Sequence, residues 1–346
     1  MQAAVFHGPR DVRVTTVAEP VPQAGEVLIK VQRAGICGSD VNRFRYGSHP
    51  WPPGFIMGHE FCGEIAAVGP GVTDWQVGHQ VVIEPTLYCG TCFYCQQGAH
   101  NRCVDFLRRG ITGAGTNGAF ADYVCVPAYQ PHARPPQLSI AVAALVEPMA
   151  VSVHGWRLAG VEQPDSVVIV GIGNIGLLAI LVARAWGARQ IIVIGKYAAR
   201  QALASAYGAS VILEPDDPQL QARILEQTNG LGAALVLEAA GTPSSLETAV
   251  AVARKGGKIV ILGVLHEAVA LNIRMVQLME KHLLGSLIYQ RQDFADAIQI
   301  LAGGGGIEKG RHITAEIPLH DIVSHGFVPL SEQRAAHIKI QVYPHA

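Results

Sequence analysis

Charge is scarce in this chain. Only 15% of its 346 residues are Asp, Glu, Lys or Arg, and the net charge is −1 with histidine neutral. No long basic run occurs, which excludes nucleic acid and anionic membrane as expected partners, because both call for a concentrated positive surface. The opening stretch from Met1 to Val14 has no apolar core of the kind found in secretion signals. The longest apolar stretches are interrupted by glycine or charge, so none reads as a membrane span. Internal repeats and low-complexity tails are also missing. What the chain has is 49% hydrophobic residues, enough to bury large cores, and a length that suits two domains.

Cysteine is present in an odd number, seven. With no secretion signal, that count favours a reduced, cytoplasmic protein with metal sites over a disulfide framework. Four of the seven crowd together as Cys89-x2-Cys92-x2-Cys95-x7-Cys103. Such spacing lets sulfurs from one loop converge on a tetrahedron, with zinc–sulfur bonds of about 2.3 Å. Four thiolates leave no open position, so a structural zinc is expected. An iron–sulfur cluster is the chemical alternative.

The middle of the chain carries a different signal. Val167-Val168-Ile169-Val170 is a β-branched run that ends in Gly171-Ile172-Gly173-Asn174-Ile175-Gly176, and an Ala- and Leu-rich stretch follows to Trp186. Strand, G-x-G-x-x-G and helix in that order suit a dinucleotide pyrophosphate. Gly171 permits the tight turn, Gly173 lets phosphate approach the backbone, and Gly176 lets helix and strand pack closely. Asn174 and Ile175 open the helix, whose free N–H groups and positive dipole end face the anion.

Around this stretch the texture divides the chain. Up to about residue 130, glycine and proline turns recur between short alternating runs such as Val27–Val31, Glu64–Val68, Gln80–Ile83 and Ala121–Val126. These predict a compact antiparallel β domain without long helices. Residues 140–154 look helical, with Pro148 expected to kink or end a segment. Strands and helices then alternate: strand 166–170, helix 175–186, strand 190–194, helix 198–207, and strands at 211–213, 234–237 and 258–262. That pattern predicts a doubly wound parallel sheet. Beyond it come a helix at 294–301 and a closing strand at 338–342. The expected organisation is a β-rich domain over 1–150 with the cysteine lobe at about 86–105, a nucleotide-binding domain over 151–290, and a returning tail over 291–346.

Three further stretches hold metal-competent side chains: Cys37 in Gly35-Ile36-Cys37-Gly38-Ser39-Asp40, His59 and Glu60 in Gly58-His59-Glu60, and Glu147 before Pro148. Cys, His and carboxylate all ligate zinc, and a catalytic zinc keeps one position open. Alone, each has a plain structural explanation, such as a small buried hydrophobe for a lone Cys. Beside the nucleotide fingerprint, the metal reading is the better one.

These residues carry a resemblance. Cys37-Gly38-Ser39-Asp40, the stretch Gly58-His59-Glu60-Phe61-Cys62-Gly63-Glu64, the four-cysteine lobe, Asn117 to Val124, Glu147-Pro148-Met149-Ala150-Val151, the glycine fingerprint and Gly285 to Tyr289 stand in one order. End to end, the chain resembles the zinc-dependent medium-chain dehydrogenases, in the branch of sorbitol, 2,3-butanediol and threonine dehydrogenases. The resemblance implies an α/β protein: a GroES-like β-rich catalytic domain, split in sequence, with a Rossmann domain inserted. It implies two zinc ions. The catalytic one sits near Cys37, His59 and Glu147, with Glu60 as an exchangeable ligand or close neighbour. Asp40 orients His59, and Ser39 passes the substrate proton toward solvent. Zinc lowers the pKa of a bound secondary alcohol or polyol and stabilises its alkoxide, which passes hydride to NAD(P). A homodimer or homotetramer is expected by the same likeness. A threonine-type or cyclic amino-polyol dehydrogenase is the alternative activity. A non-catalytic nucleotide-binding relative and a zincless quinone reductase are more distant, because ligands and glycines are all retained.

Departures from the family pattern sharpen the reading. A relay histidine is replaced by Asn42, which cannot act as a base, so water or another histidine such as His49 must serve. Trp51, Phe55, Phe120, Arg43 and Tyr289 are candidates to line the substrate pocket. Cys62 and Cys125 are expected to pack as small apolar residues. The strand at 191–194 lacks the acid that accepts ribose hydroxyls in NAD enzymes. It runs instead into Gly195-Lys196-Tyr197-Ala198-Ala199-Arg200. Gly195 leaves room, and Lys196 and Arg200 supply positive charge, so NADP is favoured over NAD.

Overall fold

The computed structural model describes residues 1–47, 53–304, 306–307, 310–333 and 335–345. His49 and Trp51 lie outside the described residues. The chain divides into two units. One comprises Met1–Glu147, Gln290–Ala302 and Ile307–Ala346; the other comprises Pro148–Tyr289 and Gly303–Gly306.

The first unit is built on the strand Glu26–Gly35. It pairs antiparallel with Glu60–Val68 on one side, and with Tyr123–Pro127 and then Lys339–Tyr343 on the other. Lys339–Tyr343 in turn pairs parallel with Ile313–Pro318. A second, three-stranded sheet places Gln2–Gly8 between Asp11–Thr16 and Phe55–Ile56. Val27, Ile29 and Val31 supply one buried face of the central strand, and with Phe6, Phe44, Ile65, Phe120 and Phe327 they form the core. The register of Glu26–Gly35 against Glu60–Val68 shifts twice, between Leu28 and Ile29 and between Val31 and Arg33. Such shifts re-aim the end of a strand, and this one ends beside the metal-competent residues.

The expectation of strands up to about residue 130 needs correction: besides the single-turn helices Phe93–Gln96 and Phe106–Arg109, a longer one is present. Gly38–Tyr46 is an α-helix. Nine residues are too few to show a long apolar period, but the local signals are present. Asp40 stands in the first turn, Val41 and Phe44 are buried three apart, and Gly47 closes the helix in the left-handed region with φ 64°. The expectation at Pro148 is corrected too. A helix runs unbroken from Val146 to Ala159. Pro148 is its third residue, where a backbone N–H has no intrahelical partner to lose.

The second unit is a six-stranded parallel sheet. In space the order is Val211–Leu213, Ile191–Ile194, Val167–Val170, Ala233–Glu238, Ala253–Ile261 and His282–Gly285. In chain order that is third, second, first, fourth, fifth and sixth, the doubly wound dinucleotide-binding arrangement. The inner strands Val167–Val170 and Ile191–Ile194 are wholly apolar, as suits a sheet covered by helices on both faces. Strand order reverses between Val167–Val170 and Ala233–Glu238. Ligands of open α/β sheets bind at the carboxyl ends of strands flanking that reversal, and Gly171 sits there.

Candidate metal centres and nucleotide site

One strand register assembles the first metal group. Gly35 lies opposite Glu60, so Cys37, two residues beyond Gly35, and His59, one residue before Glu60, emerge side by side. One ligand atom from each of Cys37, His59 and Glu60 lies within 4.8 Å of the others. Gly35 is glycine for a steric reason: a Cβ there would overlap Glu60 Oε2. Cys37 is extended, at φ −84° and ψ 155°, and caps the helix Gly38–Tyr46. Its backbone N–H donates to Asp40 Oδ2 at 3.1 Å.

The surroundings of this group favour a cation. His59 and Asp40 are buried. Burial pushes the His59 imidazole down, but Asp40, Cys37 and Glu147 together outweigh it and hold its pKa well above the usual value. Asp40 Oδ1 is 3.7 Å from His59 Nδ1. That is too long for a hydrogen bond, so Asp40 acts on the ring through charge rather than by the direct bond expected of an orienting partner. Both atoms are buried without a hydrogen-bond partner among the described residues. A thiol, an imidazole and a carboxylate with ligand atoms within 4.8 Å of one another, beside the buried Asp40, match a divalent cation of zinc's preferences. Glu147, the second residue of its helix, stands outside the 4.8 Å group and is felt by His59 as charge.

Sequence reasoning missed Lys339. This side chain is buried, and its Nζ donates to Glu60 Oε2 at 2.6 Å and to the Ile36 carbonyl at 3.0 Å. It therefore fixes one carboxylate oxygen of a candidate metal ligand. The available signal was a lysine set among apolar residues in the closing strand Lys339–Tyr343. Ser39 is exposed on the first turn of the helix capped by Cys37. Among the pocket candidates, Phe120 belongs to the core, edge-on to Phe327 at 6.0 Å and filling the space beside Gly58. Arg43 is buried with its guanidinium 5.2 Å over the Phe55 ring. Tyr289 is buried as well.

The second group is Cys89, Cys92, Cys95 and Cys103, with sulfurs within 4.8 Å of one another. Bonds of about 2.3 Å to a tetrahedral zinc put sulfurs about 3.8 Å apart, and Cys89 Sγ is 3.9 Å from Cys95 Sγ. Backbone N–H groups already point at the sulfurs: Cys92 N to Cys89 Sγ at 3.3 Å, and Cys89 N to Cys103 Sγ at 3.4 Å. Backbone donors at Thr91 and Cys92 pull the Cys89 thiol down to about 6, while burial pushes Cys95 up to about 12. All seven cysteines are free. Cys62 is buried and pushed up to about 12, as an apolar filler should be.

In the nucleotide site the three glycines differ in what surrounds them. Gly171 has φ 98° and packs against Ala240, with its N–H on the Ile194 carbonyl at 2.8 Å. A Cβ on Gly176 would overlap the Gly171 carbonyl oxygen, so helix and turn touch there. A Cβ on Gly173 would meet nothing within 4 Å. The space over this residue, which caps the helix Asn174–Ala185, is open, as a phosphate at a helix N-terminus would require. Asn174 and Ile175 form the first turn of that helix. Glu238, also overlooked in the sequence, ends the fourth strand buried. It accepts from Ala240 N and Gly241 N at 2.8 Å each and from Ser245 Oγ at 2.7 Å, which shapes the facing loop.

At the ribose end, Lys196 Nζ pairs with Asp216 Oδ2 at 2.5 Å, and both side chains are exposed. The sequence gives no sign of this partner, which shares the Lys196 charge. The Arg200 guanidinium lies 5.2 Å over the Tyr197 ring.

A parallel-sheet dinucleotide unit joined to a β unit with two metal-competent groups defines a nucleotide-dependent metalloenzyme. Comparison with known proteins narrows this. Residues 23–136 match the alcohol dehydrogenase GroES-like domain, and residues 174–303 match the zinc-binding dehydrogenase domain. The chain is 32% identical over 348 aligned positions to sorbitol dehydrogenase of Bacillus subtilis (strain 168), covering 99% of this chain and 97% of that protein. It is 31% identical to (R,R)-butanediol dehydrogenase of the same organism, covering 99% and 100%. The crystal structure of a zinc-binding dehydrogenase from Sinorhizobium meliloti 1021 bound to NADP matches with a TM-score of 0.90 and 31% identity, covering 99% of each chain. The chain belongs to the zinc-type medium-chain alcohol dehydrogenase family.

Two substitutions test this geometry. Lys339→Met leaves the Glu60 carboxylate buried without its cation and should cost about 3–5 kcal/mol of unfolding free energy in urea. The double variant Lys339→Met with Glu60→Gln should recover most of that loss. In the nucleotide site, Gly176→Ala should lower the Tm, by at least about 3 °C. Gly173→Ala should leave the Tm in place and weaken dinucleotide binding, read by quenching of protein fluorescence.

Proposed function

We propose that this enzyme interconverts secondary alcohols or polyols with their ketones, using NADP in preference to NAD. The observation that carries the reading is the Cys37, His59 and Glu60 group, whose ligand atoms a strand register brings within 4.8 Å of one another, held in a chain that also retains the full glycine fingerprint. Cys37, His59 and Glu60 hold the catalytic zinc, with Glu147 completing the set from the start of its helix. When bound, zinc supplies Lewis acidity at the substrate oxygen, and the nicotinamide supplies the hydride acceptor or donor.

The protein's own groups do the rest. The exposed Ser39 hydroxyl receives the proton leaving the substrate hydroxyl and passes it to solvent, and returns it in the reverse direction. Asn42, as an amide, hydrogen-bonds but cannot extend this relay by taking a proton. Asp40 supports His59 through its charge across 3.7 Å. Lys339 holds Glu60 by one oxygen and leaves the other for a ligand role. Gly173 and the helix N-terminus at Asn174 and Ile175 receive the pyrophosphate. Arg200 and Lys196 meet the 2′-phosphate; the exposed Lys196–Asp216 pair is weak enough to open for it.

The four-cysteine lobe holds a second, structural zinc. Seven free cysteines support a reducing, cytoplasmic setting. No helix among the described residues is long and apolar enough to cross a membrane. The edge strand His282–Gly285, with Ile273, Leu278 and Leu287 exposed nearby in sequence, supports self-association into a dimer or tetramer.

Metal analysis should find two zinc ions per chain. Cys37→Ser should lose one of them and all dehydrogenase activity while keeping a near-native Tm; Cys95→Ser should lose the other and much of the stability. Steady-state assays over secondary alcohols, vicinal diols and polyols should give a higher kcat/KM with NADP than with NAD. Arg200→Ala should remove at least about tenfold of that preference, the worth of one charge-assisted phosphate contact. A wild-type enzyme that prefers NAD would overturn the coenzyme assignment.

A further inference from the structure

The strands Val167–Val170 and Ile191–Ile194 run parallel and in register, with Val170 opposite Ile194. The two loops that follow therefore leave the sheet at one level and lie against each other. On one of them is Ile172, inside the glycine fingerprint and only 3% exposed. On the other is Gly195. A Cβ on Gly195 would overlap Ile172 Cγ1, and would stand 2.7 Å from its Cδ1 and 3.1 Å from its Cβ.

Nothing else explains the glycine. Gly195 is not among the residues with positive φ, so its backbone suits any amino acid. Nor can the backbone step aside. Gly195 N donates to the Leu213 carbonyl at 3.0 Å, and the Gly195 carbonyl accepts from Gln201 Nε2 at 2.9 Å. Ile172 is fixed as well, between Gly171, which packs on Ala240, and the helix cap Gly173. It is β-branched, so two of its three χ1 rotamers direct a branch at this space, and its Cβ, 3.1 Å from the added carbon, stays close in all of them.

The position has chemical meaning. A carboxylate at the end of this strand accepts the ribose hydroxyls of NAD and repels a 2′-phosphate. We propose that Ile172 is the residue that keeps a carboxylate from this place and so sets the coenzyme preference, with Gly195 as its steric complement. This rests on the dinucleotide reading of the site. It adds that selection against NAD is built into the apolar residue of the fingerprint, not only into the charges of Lys196 and Arg200. Introducing an acid at residue 195 alone should not reverse the preference, because its Cβ overlaps Ile172 Cγ1.

The test is a double-mutant cycle with Gly195→Asp, Ile172→Ala and the two combined, with Gly195→Ala as the mildest probe of the same contact. In coenzyme-free protein, Gly195→Ala and Gly195→Asp should each lower the Tm by more than about 3 °C. Combining either with Ile172→Ala should recover more than half of that loss, although Ile172→Ala by itself opens a cavity. NADH and NADPH affinities, from coenzyme fluorescence, give the second readout. Gly195→Asp alone should gain little NADH binding. The double variant should bind NADH at least about tenfold tighter than wild type and NADPH at least about tenfold weaker. Additive Tm changes, or NADH binding by Gly195→Asp equal to that of the double variant, would overturn the proposal. A wild-type protein that already binds NADH as tightly as NADPH would defeat the NADP assignment instead; the coenzyme-free Tm cycle still tests the Ile172–Gly195 contact in that case.

Discussion

Gly35 and Glu60 face each other across two antiparallel strands, and the metal site depends on that pairing. Slipping the register by one residue would turn Glu60 to the other face of the sheet and carry His59 away from Cys37. The missing side chain at Gly35 makes room for the Glu60 carboxylate, and Lys339 from the last strand neutralises it. A carboxylate buried at that depth without a cation would be costly. The closing strand of the chain is thus part of the site, although it lies some three hundred residues from Cys37 in the sequence.

The nucleotide unit follows the same logic with atoms of another kind. Three glycines in one fingerprint are there for three reasons. One bends the chain past Ala240, one leaves open space at a helix cap, and one lets a helix touch the turn that precedes it. Gly195 is a fourth, required by Ile172 rather than by any backbone angle. In both units, function rests on places where a side chain is withheld so that something else approaches.

Much of this is legible without a fold. The alternation of apolar runs and helical stretches after residue 139 gives the parallel sheet, since buried parallel strands must be continuous apolar segments. The helix Ala198–Tyr207 and the strand Val211–Leu213 begin and end where the pattern places them. The helix Gly38–Tyr46 is hidden in the sequence because two and a half turns show almost no period, and Pro148 misleads because its cost depends on its position within the helix. Phe120 has the character of a pocket residue, yet the core claims it.

The sequence by itself determined which chemistries are available. The cysteine spacing, the G-x-G-x-x-G behind a β-branched run, and the absent acid at residue 195 are local facts, and local spacing suffices where one loop supplies the whole group. Only the tertiary structure decided which distant residues share a space. It joined Lys339 to Glu60, set Asp40 3.7 Å from His59 rather than within bonding distance, gave Lys196 the partner Asp216, and pressed Ile172 onto Gly195. These contacts arise from strand register and close packing between segments far apart in the chain, and nothing in the order of residues along it measures either.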